Sequence, residues 1–281
     1  MDIIGGAEVI SDILKKDEGA LIGRFGTVEF DVLYSIHVGR AIPSHVCSVL
    51  EGNAGVFPSD MKSVKKWAEA AKDAMCIADV LAVGWYEPMK KRELELLSSW
   101  GWSGVKIPLR SLEPYYVKEK WSKLLTGDVC VVSSFAETAA KQIKKNIWPS
   151  GMFEDSVKWH WVRTGYSPSL ALGSAGWESS PESWKEAVEW VVGEVMNTGA
   201  RTVIIGCGGL GMLIGAELKR RGKICIVMGG AVQVLFGIKG RRWENHEISK
   251  FWNSEWVWPD ANETPGGAKG IERGCYWGGK S

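Results

Sequence analysis

Blocks of hydrophobic and polar residues alternate along the chain and predict helices and strands in turn. From residue 61 to 75, apolar side chains recur at Val64, Trp67, Ala71 and Met75, which is the spacing of one helix face. Short continuous apolar runs separate such segments and are typical of strands that are buried on both faces. Strands are predicted at 79–84, 129–135, 158–163, 202–205 and 224–227, and further helices at 93–100 and 136–145.

This order of elements predicts an α/β fold with a mainly parallel, Rossmann-like sheet and helices on both of its faces. The clearest unit spans residues 202–227, where a strand, a glycine-rich turn, a helix and a second strand form a βαβ crossover. Another helix is expected to begin at Ser180 and Pro181, because a capping hydroxyl followed by proline in the first helical position is a common start.

The periodic pattern ends after Gly240. Residues 241–281 are rich in Gly, Pro, Asn and Trp, and a long loop segment of this kind commonly closes over a functional site. Its tryptophans favour that interpretation over a disordered tail, so we expect a single domain, 1–281, with this C-terminal extension covering the site. Core packing accounts for most tryptophans, but four with polar neighbours are candidates for exposed sugar-stacking platforms: Trp252, Trp256, Trp258 and Trp277.

Composition excludes several classes of protein. The net charge is +1 with no long run of one sign, so bulk electrostatics do not indicate a nucleic acid partner. No apolar run approaches the roughly 18 residues that predict a transmembrane helix, and the first residues do not resemble a signal peptide. The six cysteines have no zinc-binding spacing. We therefore expect a cytoplasmic protein with reduced thiols.

The segment 21–29 places two charged side chains beside a predicted strand end. A short apolar run is followed by a glycine turn and then by a helix whose first turn contains a carboxylate. Arg24 and Glu29 would therefore lie at the carboxyl end of a strand, where open α/β sheets bind their ligands. The alternative is an ordinary surface ion pair beside a turn.

A glycine-rich turn follows the strand at 202–205. Residues 206–211 match the GxGxxG pattern between a strand and a helix, which is the setting of a dinucleotide site. That site also needs an acidic residue about 20 positions further on, at the end of the next strand, to hold the ribose. The next strand instead runs into Met228, Gly229 and Gly230. A turn that only packs a helix on the sheet is the other interpretation.

A basic loop comes directly after this unit. Lys239, Arg241 and Arg242 lie near the predicted carboxyl edge of the sheet, where three cations would suit a diphosphate. A solvated basic loop is the alternative.

Taken in order, these segments resemble the GT-D-type glycosyltransferases, a Rossmann-like class that uses nucleotide sugars. The first segment, 24–29 (RFGTVE), is similar to the RFGDGE-like motif of that family. Similar segments follow at 131–135 (VVSSF), at 205–211 with the turn at 228–230, and at 272–277 (ERGCYW). Together they span most of the chain.

The resemblance implies a transferase that passes a sugar from a nucleotide sugar, most simply a UDP-sugar, to an acceptor hydroxyl of a glycan or glycoconjugate. Glu29 matches the Glu of the family's Asp-x-Glu pair and is the expected catalytic residue or metal ligand. Thr27 replaces the Asp, which weakens the expected site for manganese or magnesium. The expected nucleotide-sugar-binding residues are Arg24, Gly26, Thr27, Ser133, Ser134, Gly206, Gly208, Gly209, Gly211, Lys239 and Arg241.

Thr27 leaves three alternatives for the diphosphate charge. Glu29 and the diphosphate could hold the cation alone, the basic loop could replace it, or the protein could have lost activity. The last case corresponds to a non-catalytic nucleotide- or glycan-binding protein. An NAD(P)-dependent oxidoreductase is the further alternative, based on the glycine-rich turn.

Overall fold

A computed structural model of the protein describes residues 1–278 and contains one seven-stranded sheet. Every strand pair is parallel, and the order across the sheet is β3-β2-β1-β7-β6-β4-β5. The predicted α/β class with a parallel sheet is therefore confirmed. The strands are β1 Ala20–Gly23, β2 Val80–Ala82, β3 Val105–Ile107, β4 Asp128–Ser133, β5 Lys158–Arg163, β6 Thr202–Gly206 and β7 Ile224–Val227.

Helices connect the strands and cover both faces of the sheet. The α-helices are α1 Ile3–Leu14, α2 Thr27–His37, α3 Ser44–Ala54, α4 Met61–Cys76, α5 Glu87–Ser99, α6 Ala136–Gln142, α7 Pro168–Ala171, α8 Trp184–Asn197, α9 Gly211–Arg220 and α10 Ala231–Leu235. Short 3-10 helices form most of the crossover from β3 to β4 (Leu109–Leu112, Pro114–Tyr116 and Trp121–Leu124) and much of the C-terminal extension. Within residues 1–278, no helix combines the length and apolar content required to cross a membrane.

The two faces of the sheet carry separate cores. Consecutive strand residues point to opposite faces, so Leu21 of β1 packs in one core and Ile22 in the other. Helices α2 to α5, α8 and α9 cover the first face. They belong to crossovers in which the next strand lies nearer the β3 edge of the sheet. The crossovers from β3 to β4 and from β4 to β5 move the other way and cover the second face. This division is what a single handedness of parallel crossovers requires.

The start of α8 differs from the sequence prediction. The helix begins at Trp184 rather than at Pro181, and Ser183 is its N-cap. The Ser183 hydroxyl accepts a hydrogen bond from the Glu186 amide, while the Glu186 carboxylate accepts one from the Glu182 amide. This arrangement resembles a capping box, a stronger start signal than the Ser-Pro pair. Ser180 itself has a φ of 49°, outside the helical region.

Other predicted elements also differ from the structure, because their local sequence patterns are weak. The helix predicted at 93–100 begins at Glu87, with Pro88 in its first turn. Helices α1 and α3 and strand β3 were missed. In α1, two adjacent glycines lower helix propensity, and Gly6 is needed because a side chain there would overlap Ser111. Strand β3 has only three residues, two of them exposed, so it has no buried run to detect.

We expect Ser183→Ala to lower the free energy of unfolding by about 1 kcal/mol, the typical effect of removing an N-cap hydroxyl. Urea denaturation at equilibrium measures the difference. Ser180→Ala is the matched control, because Ser180 is exposed and lies outside the helix. A larger loss for Ser180→Ala than for Ser183→Ala would restore the start at Ser180 and Pro181.

Candidate active site

A cavity of about 430 Å³ opens at the carboxyl edge of the sheet. Its walls come from the ends of β1, β4, β6 and β7, from the loop after β3 and from the C-terminal extension. The chain leaves β4 toward β5 but leaves β6 toward β7, so these two neighbouring strands diverge. Such a switch point leaves a crevice above the sheet and is where α/β proteins bind ligands.

The cavity brings together most of the residues that the sequence singled out. Eight of them line it: Arg24, Gly26, Thr27, Glu29, Ser133, Ser134, Gly206 and Gly208. The other four do not line it: Gly209, Gly211, Lys239 and Arg241. The Lys239 ammonium group lies 5.6 Å from the centre of the Trp252 ring, and Arg241 donates to the carbonyl of Arg273. Of the basic loop, Arg242 is the side chain that reaches the cavity.

Arg24 is the central cation of the site. It follows β1, and its guanidinium group lies 5.1 Å from the centre of the Trp85 ring. Within residues 1–278, no carboxylate lies within ion-pair distance of this guanidinium, and its buried Nε has no hydrogen-bond partner. A charge in such surroundings is unfavourable without a counter-charge. The arrangement therefore suits an anionic ligand.

Glu29 lies in the first turn of α2 and is 7% exposed. Burial raises the pKa of its carboxyl group, while its own amide, the charge of Arg24 and the Gly26 amide oppose that rise. The chain passes so close to this carboxylate that any side chain at position 26 would overlap it. Gly26 is therefore required for Glu29 to keep its place.

The serines after β4 connect two elements of the cavity wall. The Ser133 hydroxyl accepts a hydrogen bond from the Phe135 amide at 3.1 Å and so fixes the entry into α6. The Tyr166 hydroxyl donates to the Ser134 hydroxyl at 2.9 Å. Burial raises the pKa of Tyr166, so this phenol stays protonated and can act as a hydrogen-bond donor at neutral pH.

The glycine-rich turn is largely used for packing. A Cβ on Gly208 would lie 2.7 Å from the carbonyl oxygen of Ala54, and a Cβ on Gly211 would lie 2.9 Å from Cγ1 of Val227. The carbonyl of Gly209 accepts a hydrogen bond from the Trp67 indole at 3.0 Å. The side of the turn where the second glycine of a dinucleotide fingerprint would meet phosphate is therefore occupied by the end of α3.

The C-terminal extension forms part of the cavity wall through Glu272 and Tyr276. The Gln233 side-chain amide donates to the carbonyl of Tyr276 at 2.7 Å and anchors this segment beside α10. Arg242 lies over the Tyr276 ring, and its Nη1 is 3.4 Å from a carboxylate oxygen of Glu272. The extension thus supplies a second guanidinium group to the site.

Glu263 attaches the extension to the sheet. It is fully buried, and its carboxylate accepts hydrogen bonds from the amides of Glu137 and Thr138 and from the Thr138 hydroxyl. These amides begin α6, so the carboxylate caps that helix. Burial raises the pKa of Glu263, and the Thr138 hydroxyl and the two amides lower it. With these bonds made, Glu263 has a structural role rather than that of a base.

Sequence reasoning missed the cavity wall that follows β3. This wall contains Arg110, Glu113, Tyr115 and Tyr116. Burial raises the pKa of Glu113 to about 7, against the opposing charges of Arg24 and Arg110. The charged and aromatic cluster is visible in the sequence, but its position at the sheet edge depends on β3, which has no clear pattern.

Unpartnered polar groups are concentrated at this cavity. In residues 1–278, seven buried side-chain polar atoms have no hydrogen-bond partner, and the residues of five of them line the cavity. Such atoms are rare in folded proteins, because each one costs about 1–3 kcal/mol. Their clustering indicates a site built for a polar ligand. The five are Arg24 Nε, Tyr115 OH, Tyr116 OH, Trp177 Nε1 and Gln233 Oε1.

The side chains present do not fit a divalent cation held by the protein alone. In the described part of the chain, no group of three His, Cys, Asp or Glu side chains lies close enough together to bind a metal. Glu29 is the sole carboxylate of the first motif, and the positive charge of Arg24 acts on it. Magnesium requires near-octahedral oxygen coordination, so this donor set leaves most positions to the ligand and water.

The remaining candidates from the sequence lie mainly in the core or away from the cavity. Trp256 and Trp277 are buried, Trp252 is partly buried, and Trp258 is 36% exposed. The first two are therefore core residues rather than exposed platforms. Of the four histidines, His246 lines the cavity. Burial lowers its pKa, as do the charges of Arg110 and Arg242.

The fold is that of an α/β protein with a parallel sheet, and a cavity opens at the carboxyl edge of that sheet. No family model matches the chain, and no curated protein matches it either. One solved structure, the selenomethionine-substituted domain of unknown function 1792, has a TM-score of 0.46 at 12% identity, over 82% of this chain and 78% of that chain. Another, described as a highly conserved domain of unknown function 1792 with a distinct glycosyltransferase fold, has a TM-score of 0.43 at 10% identity, over 100% and 96%.

We expect Glu263→Gln to lower the free energy of unfolding by about 2 kcal/mol, because an amide replaces a charged acceptor of buried donors. Urea denaturation measures the loss, and faster proteolysis within residues 241–278 would show that the extension has loosened. Glu255→Gln is the control, since no hydrogen bond or ion pair of its side chain is found within residues 1–278. Equal stability of the two variants would contradict the capping role.

Proposed function

We propose that this protein is a glycosyltransferase that moves a sugar from a nucleotide-sugar donor, a UDP-sugar, to a hydroxyl group of a glycan or glycoconjugate. The observation that carries the proposal is that five residues with an unpartnered buried polar atom, Arg24 among them, line the carboxyl-edge cavity. The order of motifs along the chain supports the same class. The choice of UDP rests on the family resemblance of those motifs.

The cavity has the size and chemistry that such a donor needs. Its volume of about 430 Å³ falls within the roughly 300–1,000 Å³ that is typical of small-molecule sites. Arg24 and Arg242 provide cations for the diphosphate, and Trp85, Tyr116 and Trp177 provide aromatic faces for a base or sugar ring. Ser133 and Ser134 add hydroxyl-bearing residues to the cavity lining.

The transfer requires one bond to form and one to break. The acceptor oxygen bonds to the anomeric carbon as the bond from that carbon to the diphosphate oxygen breaks, and the electron pair leaves with UDP. Guanidinium groups stabilise the charge that develops on the leaving group. A carboxylate accepts the proton of the acceptor hydroxyl.

Four carboxylates line the cavity, but Glu51 accepts a hydrogen bond from Ser169 and Glu272 is paired with Arg242, which leaves two candidates for this base. Glu113 has no ion-pair partner within residues 1–278, and its pKa of about 7 suits proton transfer at neutral pH. Glu29, the catalytic residue expected from the sequence, is held close to the Gly26 backbone and next to Arg24. We therefore assign the base role to Glu113 and assign Glu29 to donor binding.

The alternative classes have less support. For a dinucleotide oxidoreductase, the carbonyl of Ala54 blocks the approach to Gly208, and no acidic residue follows β7. For a non-catalytic binding protein, the replacement of Asp by Thr27 is the supporting feature. Hydrolysis of the donor distinguishes that class from an enzyme.

We expect UDP to raise the melting temperature of the protein and NAD to leave it unchanged. The cavity presents guanidinium groups that suit a diphosphate, but it lacks the open glycine turn that binds a dinucleotide. A thermal-shift titration with UDP, GDP, ADP and NAD measures this, and calorimetry then gives the affinities. Stabilisation by NAD alone would contradict the glycosyltransferase proposal and favour the oxidoreductase.

We expect Glu113→Gln to reduce UDP release from UDP-glucose, UDP-galactose and UDP-N-acetylglucosamine at least about 100-fold, the usual effect of losing a general base. Water serves as the acceptor in this assay. For the unchanged protein, kcat/KM should fall as the pH drops below about 7, because protonated Glu113 cannot accept a proton. This acid limb should be absent from the residual activity of the variant.

Two variants complete the experiment. Glu119→Gln changes an exposed carboxylate on the following loop and should have no effect. Glu29→Gln should weaken donor binding while keeping the acid limb. If Glu29→Gln removes the acid limb and Glu113→Gln retains it, the base is Glu29.

A further inference from the structure

We propose that Arg24 and Arg242 together bind a diphosphate group over the turn formed by Gly229 and Gly230, without a divalent cation. The inference deepens the proposed function, on which it rests, because it states how the donor's charge is met. The ligand class is a nucleoside diphosphate, and inorganic pyrophosphate contains the same recognised group.

The two arginines approach one turn from different parts of the chain. Arg24 follows β1, and a Cβ built on Gly229 would lie 2.8 Å from its Nη2. Arg242 belongs to the C-terminal extension, and a Cβ built on Gly230 would lie 3.7 Å from its Nη1 and 3.1 Å from Cε1 of Tyr276. Each guanidinium group therefore lies beside one glycine of this turn.

Gly229 is also required by its backbone. Its φ of 59° lies in the left-handed region, which glycine adopts without strain. The turn therefore brings its main chain to the cavity with no side chain in the way. Phosphate oxygens commonly bind to guanidinium groups and to backbone N–H groups at such turns.

The charges around the turn are incompletely satisfied. Arg24 has no carboxylate within ion-pair distance in residues 1–278, and its Nε is buried without a partner. Arg242 lines the cavity, is 37% exposed, and has one ion pair within residues 1–278, from Nη1 to Glu272 at 3.4 Å. A planar guanidinium group presents paired donors that match two phosphate oxygens, so each arginine can bind one phosphate bidentately.

The same geometry is unfavourable for a cation in the expected place. The expected metal ligand is Glu29, and the positive charge of Arg24 acts on its buried carboxylate. A divalent cation bound there would be repelled by the neighbouring guanidinium. Thr27 removes the second carboxylate, and no other group of potential ligands in the described chain replaces it.

The test is calorimetric titration of the purified protein with pyrophosphate and with UDP, first in EDTA and then in manganese chloride. We expect both ligands to bind in EDTA, with dissociation constants that change less than about threefold on adding manganese. Arg24→Gln and Arg242→Gln should each weaken binding about 10- to 100-fold, which corresponds to losing a charge-assisted contact of roughly 1.5–3 kcal/mol.

Arg241→Gln is the matched control. This variant removes a neighbouring arginine whose guanidinium donates to the Arg273 carbonyl and does not line the cavity, so affinity should be unchanged. Melting curves confirm that each variant is folded. Arg242 is 37% exposed and shares only the one ion pair with Glu272, so its replacement is the milder of the two.

The proposed function and the metal-free site fail under different outcomes. Binding that requires manganese, or that survives both arginine replacements, overturns the metal-free site and leaves the nucleotide-sugar function standing. Binding of pyrophosphate in EDTA without any binding of UDP overturns the proposed function and supports the diphosphate site. Absence of binding for both ligands in both buffers overturns both.

Discussion

The structure depends on strands that are buried on both faces. In β1, β4, β6 and β7 nearly every residue is buried, so helices must cover the sheet on either side. Parallel pairing then places all the carboxyl ends at one edge, and crossovers of one hand separate the covering elements by direction. The divergence of the chain after β4 and β6 opens the crevice at that edge, so the position of the cavity follows from the burial of the strands.

The residues of the site are locally destabilising within this otherwise stable fold. An unpaired guanidinium, a buried carboxylate whose pKa is raised and five buried polar atoms without partners all meet in one cavity. Each is unfavourable in the free protein and becomes favourable when a ligand supplies the missing charge or hydrogen bond. The surrounding fold leaves room for these charged groups through glycines at which a side chain would overlap them. Examples are Gly26 beside Glu29 and Gly229 beside Arg24.

The C-terminal extension shows how an irregular segment becomes part of the site. Its conformation is determined by buried polar anchors rather than by periodic apolar packing. Glu263 caps α6, the Trp277 indole donates to the Glu263 carbonyl at 3.1 Å, and Gln233 holds the carbonyl of Tyr276. These contacts join residues that are 14 to 126 positions apart, and they bring Arg242 and Glu272 to the cavity.

The sequence by itself determined the α/β class, the long strands and the placement of Arg24 and Glu29 at a strand end, because these depend on apolar runs and turn residues close together in the chain. It also indicated a basic loop, but only the tertiary structure decided that Arg242 enters the cavity while Lys239 and Arg241 do not. The cluster around Glu113 is visible in the sequence, but its position at the sheet edge depends on the short strand β3, which has no clear pattern. Packing between distant segments sets the direction of each side chain and which distant residues it contacts. A local sequence pattern does not specify that packing.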